Sequence, residues 1–393
     1  MPYDENGKFR QTIKNAIYFN GYIADGNMSS LLEKSFKGFP GIIKEMNLFI
    51  DLNSILKSVF SINGTIDMYN SKETDPTRDI LNICGNYRRI LKRIGVHTKI
   101  FLVFGNNYGS EYFAHVPDYN DYWVQRFSSK YFKHMVQTNF DILKQLCPLI
   151  PDLYLVTQEV DDIAHGVETS VIISYLINKL NEKTINLIIS NDLYAMQLCV
   201  NHPLTAMLHI SKNTMKGHYG EDRSSIIPIR EKNSFRQDFW NIWTIRTNAK
   251  KDDEKMQEKI SSLDSISPIN FPLFLALNKF TKRNIRAIYS WDKATKAIYK
   301  ATNGENIKIS VDYLANMDVL PPHFKYDKNL VYESIANRQF CLDTSFMYPV
   351  YEKSPHAKSI VFQDIQDTTG KLEYLNSKYF SDDPIYLDSL MNI

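Results

Sequence analysis

Cysteine is scarce in this chain and never closely spaced: Cys84, Cys147, Cys199 and Cys341 are the four in 393 residues. Their scatter excludes both a zinc site built on paired cysteines and a disulfide framework. Excess charge of one sign is missing too, since 46 lysines and arginines face 44 aspartates and glutamates, a net of +2. So nearly neutral a chain does not draw a polyanion by its overall field, and any nucleic-acid surface must be a local patch. No apolar run approaches the ~20 residues of a membrane span. Met1 to Arg10 is polar, without the apolar stretch of a secretory signal. The expectation is an intracellular protein, cytoplasmic or in a host cell, not secreted and with no membrane partner. What is present is ordinary globular usage, 44% hydrophobic and 23% charged, enough in 393 residues for one large domain or two medium ones.

Short apolar runs alternate with stretches of helical spacing. Leu48–Ile50, Lys99–Phe104, Leu153–Val156, Asn186–Ile189 and Leu204–Ile210 read as five strands. Between them Ile80, Ile83, Tyr87, Ile90, Leu91 and Ile94 recur at helical spacing, as do residues of 127–146 and 161–180. This alternation predicts an α/β fold, a mainly parallel sheet with helices on both faces. Residues 1–45 read as an N-terminal extension, 46–302 as the main domain, and 303–393 as a divergent C-terminal region without a nameable motif. Arg88, Arg89, Lys92 and Arg93 are expected on a solvent face.

Acids stand where the apolar runs stop. Asp51 closes the first, Glu159, Asp161 and Asp162 follow the third, and Asp192 follows the fourth. In a parallel sheet these ends share one edge, where open α/β sheets build their sites. Carboxylates gathered there repel one another unless a cation sits between them, and hard oxygen donors favour Mg²⁺ or Mn²⁺. The residues therefore point to a metal-dependent phosphodiester site. The competing explanation is capping, because helix N-termini attract Asp and Glu for that purpose alone.

Bases cluster elsewhere. Lys279, Lys282, Arg283, Arg286, Lys293, Lys296 and Lys300 form the densest basic run, interleaved by Tyr289 and Trp291. Such a segment can grip one phosphate strand of a duplex, or it can be a solvated amphipathic helix pair. Residues 106–130 are loop-like and rich in aromatics able to stack bases, among them Tyr108, Tyr112 and Trp123.

In order along residues 46–300, these segments resemble the flap endonuclease and 5′–3′ exonuclease family, relatives of the PIN-like nucleases. Leu48-Phe49-Ile50-Asp51-Leu52-Asn53 resembles its first strand, and Lys99 to Phe104 its second. Glu159-Val160-Asp161-Asp162-Ile163-Ala164 is close to the family's Glu-Ala-Asp-Asp-Ile-Ala. Ile189-Ser190-Asn191-Asp192 with Gln197-Leu198 resembles the strand and helix that carry Asp-x-Asp. Asn284-Ile285-Arg286-Ala287-Ile288 with Lys293-Ala294 resembles the helix–three-turn–helix. The resemblance implies a PIN-like 5′-nuclease core with an arch at about 106–130 and a modified helix–three-turn–helix at about 271–301. It implies Mg²⁺ or Mn²⁺ held by Asp51, Glu159, Asp161 and Asp192, supported by Asp162. Lys130 or Arg126 would steady the scissile phosphate. Lys279, Lys282, Arg283, Asn284, Arg286, Lys293 and Lys296 would bind DNA, with RNA as the alternative. Replication, repair or recombination is the associated role, and the Asn-, Lys-, Ile- and Tyr-rich usage is associated with a viral or phage source.

Departures from the family pattern open a second reading. Gly105 stands where the second strand should end in Asp, and Tyr194 where Asp-x-Asp needs its second acid. Phe280 and Arg283 replace the acids before the DNA-binding turn. One ion keeps its ligands and the second loses most of them. The two expectations are a divergent metal-dependent 5′ nuclease with a reduced site, and an inactive homologue kept for nucleic-acid binding or protein interaction.

Overall fold

The computed structural model describes residues 32, 44–55, 76–105, 140–158, 169–180, 184–190, 192–196, 198–199, 204–209, 226–227, 254, 258, 262, 266–267, 270–271, 274, 291–303 and 360–361. Its frame is a sheet built outward from β1 (Glu45–Asp51), a strand whose residues are buried from Met46 onward. On one side of β1 lies β2 (His97–Val103), followed by β3 (Leu153–Gln158). On the other lie β4 (Ile185–Ser190) and β5 (Thr205–His209). All five run parallel, in the order β5-β4-β1-β2-β3. Two-residue antiparallel strands border them, β6 (Ile226–Ile227) against β5 and β7 (Ile360–Val361) against β3. β7 pairs with the last two residues of β3, so the C-terminal region contributes to this sheet.

β5 falls inside the run read at 204–210, but β1 is longer than its own apolar run. Pairing extends it: Glu45 and Met46 find His97 and Thr98 opposite, so β1 and β2 both start before their hydrophobic residues. The alternating face carries Leu48, Ile50, Ile100, Leu102, Leu153, Leu155, Leu187 and Ile189 into one apolar cluster. Full burial of each such side chain contributes about 1.5–3 kcal/mol before entropy is counted. On the other face Phe49, Phe101 and Tyr154 stack across three neighbouring strands at 5.1 and 5.0 Å.

Helix α1 (Pro76–Arg93) starts on a proline, which costs no hydrogen bond at a first turn, and ends on Lys92 and Arg93 at the negative dipole end. Its stripe of Ile80, Cys84, Tyr87 and Leu91 joins the cluster with Leu48 and Ile50. Arg88 sits four residues after Cys84, inside that stripe, and is 4% exposed, not on the solvent face expected for it. Burial lowers its pKa, while Cys84, Asp152 and Tyr154 oppose the change. The helix closes on a Schellman turn: Val96 N–H donates to Leu91 O and Gly95 N–H to Lys92 O, both at 2.9 Å. Gly95 holds φ +82° there, with nothing within 4 Å of a Cβ placed on it, so its backbone conformation is what calls for glycine.

Residues 140–146 are helical and also pack into the α1 cluster through Phe140, Leu143 and Leu146. Helix α2 (Thr169–Lys179), buried from Thr169 through Ile177, touches β1 and β2 yet contributes nothing to that cluster. It therefore covers the opposite face. A right-handed crossover explains the swap: the chain travels from β1 through β2 to β3, then crosses back to β4 on the far side of β1. That reversal is the topological switch point, and it falls between β1 and β4. Among the described residues no helix is long and apolar enough to cross a membrane.

Candidate functional site

The carboxyl ends of β1 and β4 meet at the switch point. Residues 47, 49 and 51 of β1 share a face, as do 186, 188 and 190 of β4, and the register Ile50↔Ile189 sets them side by side. Both ends of this strip are polar. At the amino end Asn47 Nδ2 donates to Asn186 Oδ1 at 3.1 Å, and Asn186 Nδ2 to Thr205 Oγ1 at 3.4 Å. At the carboxyl end Ser190 Oγ donates to Asp51 Oδ2 at 2.7 Å.

Asp51 also caps the short helix that follows it. The backbone N–H of Ser54 donates to its Oδ1 at 3.2 Å, and Ser54 Oγ donates to Oδ2 at 2.5 Å. An N-cap explains that contact with Ser54 N–H, three residues on. It does not require the burial: Asp51 is 2% exposed, and among the described residues no other acid is buried. Burial raises the pKa of Asp51 above its ordinary 3.8; the hydroxyls of Ser54 and Ser190 pull it down, Asp192 pushes it up, and the Ser54 N–H pulls it down again, with the net direction upward. Asp192 is brought in by the same hydroxyl, since its N–H donates to Ser190 Oγ at 3.0 Å.

Between β1 and β2 the edge is closed differently. Both hydrogens of the Asn53 amide are used, one on Gly105 O at 2.7 Å and one on Thr169 Oγ1 at 3.0 Å. The Gly105 N–H donates to the same Thr169 oxygen at 3.0 Å. The Gly105 backbone thus ties β1, β2 and the head of α2 together.

Of the acids expected at this edge, Asp51 and Asp192 come together across the switch point. Glu159, Asp161 and Asp162 lie outside the described residues; Gln158 just before them ends β3, two strands from β1. Lys130 and Arg126, and Lys279, Lys282, Arg283, Asn284 and Arg286, also lie outside, as do the arch and most of the expected helix–three-turn–helix. Lys293 and Lys296 are exposed on α3 (Trp291–Thr302), one turn apart, and Lys300 continues their line a turn later. Ala294, Thr295, Ile298 and Thr302 form the buried side of that helix, and Tyr299 is 48% exposed. Ser54, Ser190 and Thr169 carry no signal of their own in the sequence. Ser190 ends an apolar run and Ser54 follows Asp51 by three residues, but only the strand register reveals what they share.

A divalent cation can be tested against this donor set. A carboxylate offers about four lone-pair positions. Three on Asp51 are taken by Ser54 and Ser190, which leaves one on Oδ1. That position is a hard oxygen donor of the kind Mg²⁺ accepts beside water and phosphate, and Asp192 is near enough for its charge to raise the Asp51 pKa. Among the described residues no group of three or more metal-binding side chains occurs. Neither a protein-family model nor a curated protein matches the chain.

Proposed function

We propose that this protein is a divergent Mg²⁺- or Mn²⁺-dependent 5′ nuclease on a PIN-like core, acting on DNA through a reduced metal site. The observation that carries the reading is the buried Asp51 at the switch point, bonded to a Ser190 hydroxyl that also accepts the Asp192 N–H, its acid pushed upward by burial and by Asp192. Burying a carboxylate beside another is costly. A cation offsets that cost by favouring the charged form.

When bound, the ion supplies Lewis acidity toward the phosphoryl oxygens. The chain's own residues do the rest. Asp51 at the end of β1 and Asp192 just after β4 would hold the ion, with Glu159 and Asp161 as further ligands and Asp162 in support. Ser54 and Ser190 fix the direction of the Asp51 carboxylate by three hydrogen bonds. Lys130 or Arg126 steadies the phosphate. Hydrolysis adds a water oxygen to phosphorus and breaks one phosphodiester P–O bond, the departing oxygen taking up the proton. Lys293 and Lys296 on the exposed side of α3 meet the phosphate backbone, continuing the basic run from Lys279.

A second reading is favoured by Gly105. Glycine has no side chain, so that strand end offers no acid for a second ion, and its N–H and C=O are both engaged in the fold. An inactive homologue that binds nucleic acid or protein fits this feature. Cleavage of 5′-labelled flap, nicked and single-stranded DNA with Mg²⁺ or Mn²⁺ separates the two, with Asp161→Asn and Asp192→Asn as controls. Products lost in both variants support the nuclease. A retained gel shift without products supports the binding protein.

A further inference from the structure

We infer that Thr169 is a positioning residue for the cation site, acting through Asn53 on the turn that carries Asp51. The inference rests on the metal-site reading above. Thr169 Oγ1 accepts from both the end of β1 and the end of β2: Asn53 Nδ2 at 3.0 Å and Gly105 N–H at 3.0 Å. A hydroxyl has two acceptor lone pairs, and both are filled here. Asn53 lies two residues after Asp51 in the helical turn that Asp51 caps, and its other amide hydrogen is fixed on Gly105 O at 2.7 Å. Rotation of that turn would break the Asn53 hydrogen bonds, so the latch holds in place the Ser54 donors that direct the Asp51 carboxylate. All three latch residues are buried, and water does not readily replace a missing partner.

The same latch decides which side of β1 is available. Between β1 and β2 the Gly105 backbone is bound on both its donor and its acceptor, whereas between β1 and β4 Asp51 faces Ser190, with Asp192 beside it. A threonine that only packs would tolerate valine, which keeps the branched shape. A latch needs the oxygen.

The test is titration of the full chain with Mn²⁺ alone, following free Mn²⁺ by electron paramagnetic resonance. Thr169→Val is expected to weaken affinity by about 10–100-fold, the range found for partners that orient a ligand, and Thr169→Ser is expected to restore it. Should Thr169→Val fail to fold, Asn53→Ser takes its place, since it removes the side-chain leg and leaves the Gly105–Thr169 bond. The same loss is expected there. A folded Thr169→Val or Asn53→Ser chain with wild-type affinity overturns the inference, as does a Thr169→Ser chain no tighter than valine. Wild-type protein that binds no Mn²⁺ overturns the metal reading itself, a result distinct from wild-type binding that the variants leave unchanged.

Discussion

Ser190 and Asp51, 139 residues apart in sequence, are joined by a 2.7 Å hydrogen bond from hydroxyl to carboxylate at the point where the sheet reverses its order. Ser190 also accepts the Asp192 N–H, and its oxygen lies 3.2 Å from Ser54 Oγ. One hydroxyl therefore bonds to Asp51 and Asp192, the two acids described at this edge.

Replacing it should be felt. Ser190→Ala removes one of the donors to a buried carboxylate and orphans the Asp192 N–H. Leaving a buried polar group without its partner costs about 1–3 kcal/mol. The expected loss of stability is about 2 kcal/mol at neutral pH, read from urea unfolding as a lower midpoint with an unchanged slope. An unaltered midpoint would show that Asp51 finds another donor.

The opposite end of the same strip provides a control. Asn186→Ala leaves Asn47 Nδ2 without its acceptor and Thr205 Oγ1 without its donor, in a buried ladder across three strands. About 1–3 kcal/mol of destabilisation is expected for each buried group left unsatisfied. Because this ladder lies at the amino ends of the strands, Mn²⁺ affinity in the folded variant should match wild type. A large change in affinity would mean that strand register is itself altered.

How much of this is legible in the sequence differs between elements. The five parallel strands announce themselves as apolar runs such as Leu187-Ile188-Ile189, because a strand buried on both faces has no polar positions to spare. β6 and β7 do not, since two-residue strands exist only through their partners. Asp51 and Asp192 are visible as acids at strand ends. Ser54, Ser190 and Thr169 are not, because an isolated hydroxyl reads as a turn former until the register Ile50↔Ile189 and the fold of α2 set it against Asp51 or Gly105. Arg88 misleads for a related reason: its charge suggests solvent, but its place among Cys84, Tyr87 and Leu91 turns it inward, and a long aliphatic stem lets it pack there.

The basic side of α3 makes its own prediction. Lys293 and Lys296 stand one turn apart on the solvent side, beside the exposed Tyr299. Lys293→Glu with Lys296→Glu should weaken DNA binding and reduce the slope of log K against log salt by roughly 1 for each phosphate no longer neutralised. The buried side through Ala294 and Ile298 is untouched, so thermal stability should hold. Binding that ignores the double change would return α3 to a solvated helix.

Proton and cation should compete for Asp51, and the sign of that competition can be stated. Its folded pKa is raised above its ordinary value, so between the two the folded chain binds more protons than the unfolded chain. Stability from this group is then present at low pH and falls as pH rises toward the folded value. Between a lower and a higher pH, both above the ordinary value of this carboxyl, the melting temperature without metal should carry a downward contribution from Asp51, and Asp51→Asn should remove it. Mn²⁺ binds the carboxylate, so its stabilising effect should run the other way, larger at the higher pH. At a hundredfold excess over Kd the gain is about 2.7 kcal/mol. Thermal melts at both pH values, with and without Mn²⁺, measure the difference directly. A Mn²⁺ effect independent of pH, or one kept in Asp51→Asn, would place the ion away from Asp51.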